Sequence, residues 1–430
     1  MNIVQSFWSK PAFHADQNYS NSRGYGGWSH ERWLWLSTAY SFYCAKRHHR
    51  QVHLVTDSFA YNVLIDRLGL PYNDANASLD ILEVEDHRLW ILGKVMALKN
   101  QPKPFVHVEN DVFLYQPLPT SNDPQYLIAQ SRIRYPDKYR KVLKDIFGSF
   151  RYVPEVVRKQ GIPEDFSVIN IGIIGGNDVH FFNEYCALAE NFVNQNKAEH
   201  SKIDIGLFSN VSDEYLFSCL VKDRNRKINL YIDVAEAQVW NVVMRFNLVP
   251  FIDKYIHLQG LAKKNAYACE QMEYRFRFEF PEEYKRISSV LHEMCPPDAM
   301  ASVSDELERW EQVRKVLAVL YDTNVESLLC KKVQLRKHVQ VKEQTNEHGE
   351  NVYRIEVSSR RSNGEPESWK LEEKDEALFH FSSPVCINEL LEGLRAEGFI
   401  HDEDSATQYR FKLIDFVTEK MTIDGVLEFA

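Results

Sequence analysis

The chain has 430 residues, of which 44% are hydrophobic, and it carries a formal net charge of −10. A chain of this length exceeds one ordinary hydrophobic core, so two domains, or three, are expected. The acidic balance argues against a nucleic-acid partner, because binding to phosphate backbones requires a basic face. An anionic small substrate stays compatible with this charge if a cation lies between the protein and the substrate.

The sequence opens without a basic and apolar leader, and no apolar run approaches the roughly 20 residues that span a bilayer. The seven cysteines are scattered and no two have CxxC spacing. This pattern disfavours a zinc ribbon or a disulfide framework and favours buried thiols in a reducing compartment. We therefore expect a cytoplasmic protein without a transmembrane segment.

The first part of the chain alternates apolar strands with amphipathic helices, as an α/β domain does. Strands are predicted at Asn2–Phe7, Val52–Thr56, Phe105–Val108 and Val168–Ile174. Helices are predicted after a capping Ser29, around Phe59–Leu68 with a stop at Gly69, over Arg88–Asn100 and through Phe182–Phe192.

A proline pair breaks this alternation in the segment Cys295–Asp298. It marks the predicted boundary between a domain of residues 1–295 and a domain of residues 299–430. Beyond it, a helix capped by Ser304 precedes several strands and then two helices, an order that indicates a separate α+β domain. The strands are predicted at Val333–Val341, Tyr353–Val357, near Trp369–Leu371 and at Leu378–Phe381, and the helices at Ile387–Leu394 and Phe411–Met421.

Two carboxylates follow the apolar run Phe105–Val108. Glu109 and Asp111 are separated only by Asn110, and another apolar run comes next. Carboxylate oxygens are the ligands that Mg²⁺ and Mn²⁺ prefer, and a site with few protein ligands leaves room for phosphate oxygens. A solvated hairpin turn between two strands explains the same residues, so both interpretations stay open here.

A second polar segment has the spacing His257-x-x-Gly260-x-x-Lys263 after an apolar run. Imidazole is a competent third ligand for Mn²⁺, glycine permits a close backbone approach, and lysine can bind phosphate. A structural histidine at a strand end is the alternative interpretation.

Together the two segments resemble the GT-A nucleotide-sugar glycosyltransferases, especially the retaining enzymes of the glycogenin and lipopolysaccharide-galactosyltransferase kind. The resemblance covers about residues 1–265 and includes Ile169–Asn177, which looks like the N-x-G strand that lines the sugar pocket in that family. In these enzymes a DxD element holds metal and donor, and a later H-x-x-G-x-x-K element adds a ligand and diphosphate contacts. Glu109 departs from DxD by one methylene, so Asp111 is the firmer predicted metal ligand.

The resemblance implies a role for each matching residue. Mn²⁺ or Mg²⁺ would be held by Glu109, Asp111 and His257, and the donor would be bound by Lys94, Asn110, Gly172, Gly260 and Lys263. Asn170, Asp213 and Glu214 would act at the sugar and the acceptor. Two alternatives stay open: Ser212–Glu214 also suits a helix N-terminus, and Asp57 suits either a ligand-binding edge or a helix cap.

The end of the chain resembles the winged-helix peptide-recognition domains of the PqqD type, which hold leader peptides on a strand edge. The likeness rests on a pattern of strands followed by helices, with Val385–Leu391 and Leu413–Met421 as the helical parts. It implies a peptide acceptor or a leader peptide as partner. An oligomerisation or packing domain is the alternative.

These observations predict an α/β protein with a GT-A, Rossmann-like domain and a smaller α+β winged-helix-like domain. The predicted function is transfer of a hexose, with retention, from a nucleotide-sugar donor to a peptide or a surface-glycan precursor. A degenerate, non-catalytic GT-A fold that binds a peptide or partner is the main alternative, because of Glu109. A nucleotidyltransferase would share the carboxylates but ordinarily has a glycine-rich basic loop after its first strand, which Ser6–Asp16 is not.

Overall fold

The structure is a computed structural model, and it describes residues 1–13, 24–99, 101–134, 136–163, 167–232, 246, 249, 254–295, 314–315, 318, 328–337, 339–345, 351–357, 367–370, 378–422 and 426–430. The chain divides into two compact units. The first contains Met1–Phe246 and Asp253–Asp298, and the second contains Asn247–Ile252 and Ala299–Ala430.

The first unit is built on a seven-stranded mixed sheet. Its strands are β1 (Asn2–Phe7), β2 (Val52–Thr56), β3 (Asp74–Asn76), β4 (Phe105–Val108), β6 (Leu127–Arg134), β7 (Ser167–Gly176) and β8 (Asn229–Leu230), with β5 (Val112–Leu114) and β9 (Tyr255–His257) forming a separate antiparallel ribbon. The order in the sheet is β3-β2-β1-β4-β7-β6-β8. Within this seven-stranded sheet, β7 runs antiparallel to both of its neighbours, and every other pair of adjacent strands is parallel.

Helices surround this sheet. They are α1 (Lys10–Phe13), α2 (Glu31–His48), α3 (Ser58–Tyr61), α4 (Ile91–Lys99), α5 (Pro136–Ser149), α6 (Glu155–Gln160), α7 (Val179–Asn194), α8 (Ile205–Asn210), α9 (Leu216–Asp223), α10 (Ala266–Glu279) and α11 (Pro281–Met294). All four residues of β4 and nine of the ten in β7 are buried, as expected for central strands covered on both faces. The α/β class is therefore confirmed, and the mostly parallel sheet is consistent with the predicted GT-A-like fold.

The helix α4 lies unusually close to the end of β1. A methyl group on Gly93 would lie 2.9 Å from Cβ of Trp8, so only glycine allows this approach. The contact places the next residue, Lys94, beneath the turn that follows β4, where its side chain is 5% exposed.

The second unit contains β10 (Val333–Leu335), β11 (Val339–Thr345), β12 (Asn351–Val357), β13 (Glu367–Lys370) and β14 (Leu427–Phe429), with helices Ile387–Ala396 and Glu403–Thr422. β11, β12 and β13 form one antiparallel sheet, and β10 pairs with β14. Strands followed by helices agree with the predicted smaller α+β region. A winged-helix arrangement stays a prediction, and the predicted Ser304 cap lies outside the described residues.

Three local predictions are wrong. The cap of α2 is His30 and not Ser29. Nδ1 of His30 accepts from Arg32 N–H at 3.1 Å, because an imidazole nitrogen can accept a backbone hydrogen bond as a serine hydroxyl does. Leu378–Phe381 forms a helical turn instead of a strand, and Val333–Val341 is divided into two strands, because β10 pairs with β14 whereas β11 pairs with β12 in another sheet. Asp57 caps α3 by accepting from Ala60 N–H at 2.9 Å, which favours the capping alternative at that residue.

Candidate metal and donor site

Glu109, Asn110 and Asp111 form a tight turn between β4 and β5. β4 pairs with β1 and β7, whereas β5 pairs with β9, so the turn joins two different sheets and the hairpin alternative is wrong. The Glu109 N–H donates to Gly172 O at 2.9 Å, and the Val112 N–H donates to Glu109 O at 3.1 Å. The turn lies at the carboxyl end of β4, the edge where α/β sheets bind ligands.

The β5–β9 ribbon brings His257 to the two carboxylates. Val112 pairs with His257, and Leu258 N–H donates to Asp111 O at 3.0 Å. Nε2 of His257 lies 3.4 Å from Oδ1 of Asp111 and 3.5 Å from Oε2 of Glu109. One ligand atom from each of these three residues lies within 4.8 Å of the others, so the cluster could hold a metal ion.

The orientation of the His257 ring is set by Gln130 and Gly172. Nδ1 of His257 donates to Oε1 of Gln130 at 2.9 Å, and Gln130 lies at an irregularity in β6 between Ala129 and Ser131. Because the amide oxygen only accepts, the neutral ring carries its lone pair on Nε2, as a metal ligand requires. A methyl group on Gly172 would lie 2.5 Å from both Gln130 Oε1 and His257 Cε1, so glycine makes room for this pair.

Two lysines neutralise the carboxylates. Nζ of Lys94 lies 2.6 Å from Oε1 of Glu109 and 2.8 Å from Oδ2 of Asp213. Nζ of Lys263 lies 2.7 Å from Oδ2 of Asp111. Each carboxylate of the turn thus has one oxygen in an ion pair with a lysine and the other oxygen near Nε2 of His257.

These neighbours control the protonation of the cluster. Burial raises the pKa of Glu109, but Lys94 and His257 together more than offset burial and hold this pKa below its usual value. Burial likewise opposes ionisation of Asp111, yet Lys263 and His257 keep its pKa well below the ordinary range. Burial lowers the pKa of His257, and the two carboxylates more than reverse this. Both carboxylates are therefore held in the ionised form that ligates a cation, whereas His257 ligates a cation only in its neutral form, with the proton on Nδ1.

Asp213 and Glu214 lie inside a long helical stretch and not at its start. The helices α8 and α9 are joined by a π turn, Val211–Tyr215, and the helix cap is Asp204. The helix-terminus alternative is therefore wrong. π turns occur frequently at functional sites, because the extra residue re-aims the side chains around it.

The two carboxylates of the π turn have different surroundings. Asp213 is 1% exposed, with Oδ1 accepting from the Tyr185 hydroxyl at 2.8 Å and Oδ2 on Lys94. Burial raises the pKa of Asp213 to about 7 despite the lysine. Glu214 accepts from the Tyr139 hydroxyl and lines the cleft described next. Asp213 also lines this cleft but is 1% exposed, so Glu214, which is partly exposed, is the carboxylate of this pair that a ligand could reach more readily.

A cleft of about 580 Å³ opens over the cluster. Aromatic rings and lysines line much of it, including Phe7, Trp8, Trp28, Trp90, Lys94 and Lys263. Nζ of Lys263 lies 5.7 Å from the ring centroid of Trp28 and donates to Gly26 O at 2.9 Å. Volume, apolar walls and convergent charged groups are typical of a small-molecule site.

The remaining predicted residues lie around the same turn. Asn110 lines the cleft, and its Nδ2 donates to Ser6 O at 2.8 Å. Gly260 also lines the cleft and has φ +56°, a left-handed conformation that suits glycine. Oδ1 of Asn170 accepts from Gly172 N–H at 2.9 Å, and the Asn170 side chain is 1% exposed.

Sequence reasoning missed the residues that support the cluster. Gln130, Tyr185 and Tyr139 belong to no motif, and each meets a site residue far along the chain. No local pattern in the sequence indicates such partners, because they are set by strand pairing and helix packing.

The fold and the cluster define an α/β protein with a mostly parallel sheet and a candidate divalent-metal site. A family described as "Family of unknown function (DUF6734)" matches residues 1–290, and the chain belongs to this family. No curated protein matches the chain. Within the described part of the chain, no helix combines the length and apolar character needed to cross a membrane.

Among solved structures, the chain is similar to mouse xyloside xylosyltransferase 1 in its apo form. The two are 10% identical with a TM-score of 0.26, and the match covers 53% of this chain and 84% of the other. A likeness at this level assigns no activity to this chain.

Proposed function

We propose that this protein is a metal-dependent glycosyltransferase that moves a hexose from a nucleoside-diphosphate donor to an acceptor. The observation that carries the proposal is the convergence of Glu109, Asp111 and His257 at the carboxyl end of β4, beneath a cleft with Lys263 beside it. A diphosphate bound by an acidic protein requires a cation between the two, and this cluster offers ligands for one.

The donor set suits Mn²⁺ or Mg²⁺. Two carboxylate oxygens and one imidazole nitrogen face a common point, and Gln130 supports the imidazole as the partners of metal-bound histidines do. A bound divalent cation would neutralise the negative charge that develops on the departing diphosphate.

The chain's own residues would position the donor around that point. Lys263 is 17% exposed and lies at the cleft, so its ammonium can exchange Asp111 for a phosphate oxygen. Gly260 permits a close approach of the diphosphate to the backbone. Asn110 would contact the donor through its amide, and Asn170 and Gly172 would shape the wall behind the sugar.

On the acceptor side, Glu214 would meet the sugar or the acceptor nucleophile, because its carboxylate reaches the cleft. Asp213 would act through Lys94, since its oxygens are taken by Tyr185 and Lys94. We base retention of configuration on the sequence resemblance to retaining GT-A enzymes. We base a peptide acceptor on the resemblance to PqqD-type domains, and a glycan precursor is the other proposed acceptor. NMR of the product anomer and a screen of peptide and glycan acceptors test them.

A thermal-shift screen of nucleotide sugars with Mn²⁺, followed by assay of nucleoside diphosphate release, tests the proposal. Asp111→Asn should abolish Mn²⁺-dependent donor binding and leave the fold intact. Asp66→Asn, at an exposed carboxylate, is the matched control. Equal donor affinity in EDTA and in Mn²⁺ would remove the metal role. Tight donor binding without release of diphosphate on any acceptor or on water would favour the non-catalytic alternative.

A further inference from the structure

Lys94 is buried and is held in place by two carboxyl groups. Its Nζ lies between Glu109 and Asp213 at 2.6 and 2.8 Å, with Ile171 O at 3.4 Å, and the side chain is 5% exposed. Asp213 is itself fixed by the Tyr185 hydroxyl at 2.8 Å. Such a buried cation between two carboxyl groups has no low-cost alternative position, because its departure would leave both groups without their partner.

The ion pair with Lys94 gives the two carboxylate oxygens of Glu109 different partners. Oε1 lies on Lys94, and Oε2 lies 3.5 Å from His257 Nε2, on the side where Asp111 Oδ1 also points. Glu109 therefore presents one oxygen to the centre of the cluster. Lys263 holds Oδ2 of Asp111 in a similar way, but it is 17% exposed and adjoins the cleft, so only Lys94 is a permanent restraint.

We propose that Lys94 is a positioning residue that makes the site selective for small octahedral cations over Ca²⁺, instead of contacting donor phosphates. Calcium takes six to eight oxygen ligands and commonly uses carboxylates through both oxygens, whereas Mg²⁺ requires a compact octahedron. By retaining Oε1, Lys94 denies Ca²⁺ the second oxygen of Glu109. This inference rests on the metal site of the proposed function.

The ratio of two dissociation constants isolates this effect. Mn²⁺ and Ca²⁺ carry the same charge, so removing a nearby lysine changes the electrostatic part of both affinities alike and leaves their ratio nearly unchanged. A change in coordination by Glu109 alters the ratio. Lys94→Met should therefore lower the Kd ratio of Ca²⁺ to Mn²⁺ by roughly tenfold or more.

The experiment measures Mn²⁺ binding to the full chain by electron paramagnetic resonance and its displacement by Ca²⁺. Lys94→Met is compared with Lys94→Arg, which keeps a cation on Oε1 and should retain the wild-type ratio. Lys99→Met is the matched control on the same helix, since Lys99 pairs with Glu190 at the surface. If Lys94→Met does not fold, the double variant with Asp213→Asn decides, because it removes one buried charge of each sign.

The outcomes separate the two proposals. A wild-type chain that binds no Mn²⁺ contradicts the metal role in the proposed function. A wild-type chain that binds Mn²⁺, with the same Ca²⁺-to-Mn²⁺ ratio in the Lys94→Met or double variant, overturns the selectivity role alone. A shifted ratio that Lys94→Arg restores supports it.

Discussion

A single methyl group added at Gly172 should displace His257 and so weaken metal binding at the candidate site. In Gly172→Ala the new Cβ would lie 2.5 Å from His257 Cε1 and 2.8 Å from Nδ1, and 2.5 Å from Gln130 Oε1. Both neighbours are buried, so neither side chain can swing into solvent. The His257–Gln130 pair must shift, and Nε2 moves with the ring relative to the carboxylates.

The expected size follows from two known effects. Overpacking a well-filled interior costs about 1–3 kcal/mol in stability. Disturbing a hydrogen-bonded partner of a metal ligand weakens metal binding by about 10–100-fold. At Mn²⁺ equal to 100 times the wild-type Kd, binding stabilises the wild type by about 2.7 kcal/mol. A thirtyfold weaker variant would gain only about 0.9 kcal/mol under the same conditions.

Chemical unfolding with and without Mn²⁺ measures both quantities, and calorimetry gives the Kd directly. Gly148→Ala is the control, because within the described part of the chain no atom lies within 4 Å of the added Cβ, and the position is helical. It should be neutral or slightly stabilising, with unchanged Mn²⁺ affinity. A folded Gly172→Ala protein that binds Mn²⁺ as the wild type does would refute the placement of His257 in the site.

Three further predictions concern the donor, a cap and the domain boundary. Lys263→Ala should weaken nucleoside-diphosphate binding by roughly tenfold to a hundredfold in calorimetry, because a charged hydrogen bond is lost; unchanged affinity would remove Lys263 from the site. Asp57→Ala should lower the stability of the first unit by about 1 kcal/mol in chemical unfolding, since the cap of α3 is lost, and an unaltered midpoint would contradict this. Limited proteolysis should cut first between Cys295 and Ser304, and a single resistant fragment of full length would argue against two independently folding domains.

Strand positions in the first unit were predictable, because apolar runs such as Val52–Thr56 and Phe105–Val108 are bounded by turn residues. Both strands occur with the predicted ends. Short segments were less predictable. At Leu378–Phe381 an apolar run too short for periodicity to distinguish strand from helix forms a helical turn.

The candidate ligands could be found from the sequence because each follows an apolar strand in a spacing that suits a known chemistry. Their convergence could not be derived, since it depends on the pairing of β5 with β9, two three-residue strands far apart in sequence. The burial of Lys94 was also unpredictable, because its partner Asp213 lies on a distant helix. The sequence therefore indicated the ligand set, and only the structure shows the lysines and the glutamine that restrain it.

The pairing of β5 with β9 also sets the order in which a newly made chain could acquire a metal. His257 follows Asp111 by 146 positions, so a ribosome adding about 5–20 residues per second needs roughly 7–30 s to deliver the third ligand after the second. During that interval the two carboxylates lack the imidazole. We expect a nascent chain to discriminate poorly among cations until β9 has been synthesised and has paired with β5.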